Sequence, residues 1–188
     1  VNQASEDLSS SLLSTDDFTV PILPEVIRIE PASTCNLRCI HWPTGLNKSR
    51  SRGVMTEETF GIVFSNLRKL NPRVVVMYHG GEPFLNKHIF EWIRAIKLMG
   101  VGFLKAVTNG MLLTNDMLLR VVESGLDSIE FSIDGQSPDE NNAIRIGSDY
   151  HTVSNTIKSL IQIKGERGND KPAIFISSTQ FVGSGRNI

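Results

Sequence analysis

Cys35-Asn36-Leu37-Arg38-Cys39-Ile40-His41-Trp42 comes after a strand-like run around Val26–Ile29, and His79-Gly80-Gly81-Glu82-Pro83 closes a second one. In both places an apolar run stops and small, polar or nucleophilic residues take over. The pattern repeats along the chain. Candidate strands lie at Glu25–Pro31, Arg73–Tyr78, Gly102–Thr108, Ser128–Ile133 and Ala173–Thr179, rich in Val, Ile and Phe as strands buried on both faces are. Longer amphipathic stretches separate them. Thr56–Leu70 carries Phe60, Val63, Phe64 and Leu67 on one helical stripe, with Thr56 as its cap and Glu57-Glu58 in its first turn. Lys87–Met99 repeats the stripe through Ile89, Phe90, Ile93 and Ile96, and Gly100 is placed to end it. Asn115–Ser124, capped by Asn115 and closed by Gly125, and Tyr150–Lys164, with Val153, Ile157, Leu160 and Ile161, complete the set.

Alternation of this kind predicts a parallel α/β sheet with right-handed crossovers. Five strand–helix units are visible in 188 residues, and a closed eight-unit barrel typically needs about 250 residues. The fold expected is therefore an open or partial (β/α) barrel over residues 25–188, preceded by a flexible lead-in over 1–24 that is rich in Ser, Asp and Glu. The run Gly183-Ser184-Gly185-Arg186-Asn187-Ile188 follows the fifth strand like a cut end, so a C-terminally truncated barrel is expected.

A net charge of −1 gives no electrostatic reason to expect nucleic acid or a membrane surface as partner. No apolar run approaches the roughly 18 residues that a spanning helix needs. Two cysteines without a secretion signal suggest a reducing cytoplasm, and a Cys35–Cys39 disulfide would close too small a loop to stabilise much. Zinc held by the two cysteines with His41, His79 or His88 is a further reading, weakly signalled by a single C-x3-C pair. Two unliganded cysteines in an inert loop is the plainest one.

In parallel α/β folds the chemistry collects at the C-terminal ends of the strands. Every motif in this chain falls there. Gly80-Gly81 permits close backbone approach, and Glu82, ahead of Pro83, offers a carboxylate to an ammonium group. Thr108-Asn109-Gly110 and Ser132-Ile133-Asp134-Gly135 put short polar side chains at two more strand tips, where Asn-Gly and Asp-Gly also read as ordinary turns.

Taken in order, Cys-Asn-Leu-Arg-Cys, Gly-Gly-Glu-Pro, Thr-Asn-Gly and Ser-Ile-Asp-Gly resemble the radical S-adenosylmethionine (SAM) family from about Val26 to Thr179. The resemblance is closest to the branch with a cysteine-rich C-terminal extension, whose members modify peptides or mature cofactors. It implies a six-unit partial barrel, of which about five units are present. It also implies SAM and a four-iron four-sulfur (4Fe-4S) cluster as cofactors, an electron donor such as a flavodoxin or ferredoxin, and a substrate that is a peptide or a cofactor precursor. The reaction implied is reductive cleavage of SAM at the cluster to start radical modification of the substrate.

Carried over residue by residue, Cys35 and Cys39 match two of three cluster thiolates. Gly80, Gly81, Glu82 and Pro83 match the segment that holds the SAM amino group, partly through backbone carbonyls. Asn109, Ser132 and Asp134 fall at positions lining the SAM pocket. Arg145, within Ile144-Arg145-Ile146-Gly147, matches an arginine often near the SAM carboxylate, and reads otherwise as a solvated surface charge. The chain departs from the pattern at Trp42, where C-x3-C-x2-C would place its third cysteine. Indole has no available lone pair for iron, whereas His41 could donate a nitrogen. Three readings follow: a radical SAM enzyme, an inactive barrel that keeps a SAM pocket, and an active lineage in which one base change turned cysteine into tryptophan. The expectation for Trp42 is a largely buried indole, facing the cavity near Pro43.

Overall fold

Residues 23–42 and 52–179 are described in the computed structural model, so most of the expected lead-in, Pro43 and the tail from 180 onward lie outside the described residues. Strands β1 (Val26–Ile29), β2 (Val74–Met77), β3 (Phe103–Thr108), β4 (Ser128–Ser132) and β5 (Ala173–Ser177) pair in parallel, in chain order, into one sheet. Among the described residues the sheet is not closed, which matches the partial barrel expected.

Helices α1 (Glu57–Leu70), α2 (Ile89–Leu98), α3 (Asn115–Glu123), α4 (Pro138–Ile144) and α5 (Tyr150–Glu166) form the crossovers. Thr56 caps α1 by accepting from the Thr59 N–H, as its sequence predicts, and Asn71 ends it in the left-handed region. At α3 the cap is Thr114 rather than Asn115. The Thr114 backbone is extended and its hydroxyl accepts from the Met117 N–H, so Asn115 is already the first helical residue. Helix α4 was not expected. It is seven polar-rich residues long, started by the Ser137 cap, Pro138 in the first turn and Asp139-Glu140 beside the N-terminus.

The two faces of the sheet differ. Ile29, Val75, Met77, Leu104, Ala106, Ile129 and Phe131 point into the helices and form the core with Phe60, Trp92, Ile93, Ile96 and Leu160. The opposite face alternates with them and is not uniformly apolar. It carries exposed Arg28, and Lys105 paired with Glu130. The expectation of strands buried on both faces holds for β2, where Val76 is buried as well as Val75 and Met77. It is corrected for β1, β3 and β4, where Arg28, Lys105 and Glu130 bring charge to the second face.

Candidate functional site

At the C-terminal ends of the strands the chain encloses a cavity of about 140 Å³. Cys35, Cys39, His41 and Trp42 reach it from the loop after β1, and Tyr78, Gly80, Gly81 and Glu82 from the end of β2. Val107, Thr108 and Asn109 come from β3, Glu130, Ser132 and Asp134 from β4 and its loop, and Arg145, Ser177 and Thr179 complete the wall. Of the residues matched to the cluster and SAM positions, only Pro83 is not in the lining. It is buried in the first turn of a 3-10 segment, Pro83–Leu85. Tyr78, Val107, Glu130, Ser177 and Thr179 are additions. Glu130 and Ser132 lie two apart on β4, so period-2 alternation from Ser132 would have found Glu130.

The loop after β2 is held by backbone and carboxylate together. Glu82 N–H donates to the Thr34 carbonyl at 2.9 Å, and Gly80 N–H to Glu30 Oε1 at 2.8 Å. The two loops pass so closely that a Cβ on Gly81 would sit 2.2 Å from the Ala32 oxygen and 2.4 Å from the Thr34 oxygen. This contact, rather than an unusual φ, is why residue 81 is glycine. Glu82 is 2% exposed. Its Oε1 accepts from Phe84 N–H and the Thr108 hydroxyl, and its Oε2 from Asn109 N–H at 2.8 Å. The carboxylate expected to meet a ligand's ammonium group thus already ties the β2 loop to the tip of β3. Burial pushes its pKa up to about 7 in spite of those three donors.

Asn109 turns its amide to Asn36 Oδ1 at 2.8 Å and to Cys35 Sγ at 3.7 Å, while Leu37 N–H also points at Cys35 Sγ. Cys35 and Cys39 are both free thiols, and burial raises the pKa of each. Asp134, 1% exposed, pairs with Arg145 Nη1 at 2.7 Å and accepts Thr179 N–H at 2.7 Å. Its own N–H donates to Asn141 Oδ1 on α4. Arg38 N–H and Ile40 N–H donate to the Ile146 and Ile144 carbonyls, so the cysteine loop is laced to the segment that carries Arg145. Arg145 is a buried wall residue, which removes the surface-charge reading, and its Nε–H has no protein partner.

Trp42 is half-buried rather than largely buried. Its indole N–H donates to the Gly80 carbonyl at 2.8 Å, and its ring stacks on Tyr78 with centroids 6.2 Å apart. His41 Nε2 lies 3.7 Å from Asp134 Oδ2. His88 is instead beside Glu57 and Trp92, and His79 is not in the lining, so the zinc set weighed above is not brought together. Among the described residues no group of three or more His, Cys, Asp or Glu side chains is arranged to hold a metal ion. A cluster held by three protein thiolates does not fit this donor set, which offers two thiols and an indole.

A parallel partial barrel with this cavity at its strand tips defines a class, and the comparisons give it a name. Residues 29–170 match the family described as the Radical SAM superfamily, and the chain belongs to that family. It is 32% identical over 154 residues to the tungsten-containing aldehyde ferredoxin oxidoreductase cofactor-modifying protein of Pyrococcus furiosus, covering 78% of this chain and 41% of that one. It is 30% identical over 137 residues to a probable GTP 3',8-cyclase of Methanocaldococcus jannaschii, covering 73% of this chain and 45% of that one. The chain thus spans less than half the length of these relatives. Among solved structures, Streptococcus suis SuiB bound to S-adenosylmethionine superposes with a TM-score of 0.69 at 14% identity, over 96% of this chain and 44% of SuiB, a likeness of fold. No helix among the described residues is long and apolar enough to cross a membrane.

Proposed function

We propose that the cavity at the strand tips binds S-adenosylmethionine, and that the chain is the SAM-binding core of a radical SAM protein. The observation that carries this reading is the convergence of Gly80, Gly81, Asn109, Ser132, Asp134 and Arg145 on one cavity in a chain of that family. The buried Nε–H of Arg145 suits a ligand carboxylate. The Gly80-Gly81 segment of the lining offers backbone carbonyl oxygen to its ammonium group, on Gly80 through the lone pair that the Trp42 indole leaves. The family's reaction is reductive cleavage of this ligand to start radical modification of a second molecule. A cofactor precursor or a peptide is the substrate class proposed. It is supported by the Pyrococcus furiosus relative, described as cofactor-modifying, and by SuiB, solved also with its precursor peptide SuiA. We place the protein in the branch with a cysteine-rich extension, working in the cytoplasm with a flavodoxin or ferredoxin as electron donor.

The two-thiol donor set favours a second reading, a barrel that binds SAM without cleaving it. Titration calorimetry with SAM tests the first proposal. Saturable binding that is weakened by Asn109→Ala is expected, and absence of binding overturns it. Release of 5′-deoxyadenosine and methionine under a strong reductant separates the two readings.

A further inference from the structure

Trp42, the residue at which the sequence leaves the C-x3-C-x2-C pattern, also touches the loop after β2. Trp42 N–H donates to the Cys39 carbonyl at 3.2 Å, a turn that fixes the Trp42 backbone against that of the second cysteine. From there the side chain lines the cavity on the β2 side. Its Nε1–H holds the Gly80 carbonyl, and its ring lies against Tyr78. An indole N–H is a donor with no lone pair to offer a metal, and the ring fills volume that a thiol would leave open. His41 does not restore the ligand count, since its Nε2 faces Asp134 on the Arg145 side of the site.

We infer that Trp42 is a fixed wall of this cavity, standing where a third thiolate would hold iron, so that the chain takes up less than one four-iron cluster. The inference concerns the site proposed above for SAM. It adds that a ligand there meets protein groups and an aromatic wall, with the Gly80 carbonyl already engaged.

Anaerobic reconstitution of the full chain with iron and sulfide tests this without any activity measurement. Iron and acid-labile sulfide per chain are expected to stay well below the full complement. Trp42→Cys should raise both about two-fold or more, because the thiolate set is then complete. A wild-type chain that fills with a stable cluster overturns the inference, and so does a Trp42→Cys protein that folds and stays as empty as wild type. Trp42→Phe keeps a ring and removes the N–H donor, and it should remain as poor in iron as wild type. It also isolates the wall. Trp92 is buried in the core against Phe60, so a fluorescence response to SAM should be present in wild type and lost in Trp42→Phe. An undiminished response in that variant overturns the placement of Trp42. Failure of SAM to bind by calorimetry would defeat the proposed function alone, since the iron count does not depend on SAM.

Discussion

Gly81 and Glu82 show how little freedom the loop after β2 has. A methyl group at residue 81 would meet two backbone oxygens that cannot rotate away, those of Ala32 and Thr34. Gly81→Ala should therefore cost about 1–3 kcal/mol or more in urea denaturation, the range for overpacking at a rigid contact. Relief would require moving the strand end that leads into Cys35, so SAM affinity should fall with stability. Glu82 acts through its charge state. Its folded pKa of about 7 lies above the usual 4.5, so its contribution to stability is full below 4.5 and is lost as pH rises through 7. Glu82→Gln removes the titration. The slope of unfolding free energy between those two values, up to about 1.4 kcal/mol per pH unit, should flatten in the variant, read from urea midpoints across that range.

At the scale of elements, capping decides where helices begin. Thr114→Ala should destabilise the protein by about 1 kcal/mol while Asn115→Ala changes little, because the Thr114 hydroxyl caps the Met117 N–H. Equal losses from both would return the cap to Asn115. The long helices were legible because each has an apolar stripe with a period near 3.6, and the motifs were legible because each sits where an apolar run ends. Helix α4 was not. Its seven residues bury only Asn141 and Ile144, too few to make a stripe, although Ser137 and Pro138 announced its start. The role of Glu30 was equally hidden, because it is defined by a partner distant in the chain, the Gly80 N–H, and that of Asn141 because its bond to the Asp134 N–H depends on the unforeseen helix α4. Glu82 was legible as a candidate at a strand tip, where it lines the cavity, but not as a tie between loops, because its partners Thr34, Thr108 and Asn109 are distant in the chain.

The molecule as a whole is electrostatically two-ended. At the N-terminal ends of the strands, Asp127 binds Lys97, Lys171 and the Leu104 N–H, joining α2, β3 and the approach to β5. Burial raises the Asp127 pKa, but the hydrogen bonds from Lys171 and Lys97 outweigh it and the net shift is downward. Its contribution is present above the unfolded pKa near 3.8 and disappears as pH falls through the lower folded value. With Glu82 acting in the opposite sense at the other end, stability should pass through a maximum in the mildly acidic range. Asp127→Asn should remove the acid limb of that profile and leave the limb set by Glu82 in place, as measured by thermal melts at stepped pH. One contact at the strand tips carries a further consequence. Thr179 N–H, two residues past β5, donates to the same Asp134 that pairs with Arg145, while Phe175 and Ile176 on that strand are 52% and 61% exposed. A ligand that steadies the Asp134–Arg145 pair therefore clamps the outer strand. Deuterium uptake at the Thr179 amide should slow when the cavity fills, so a poorly sheltered margin of the sheet would report occupancy of the site by its exchange clock.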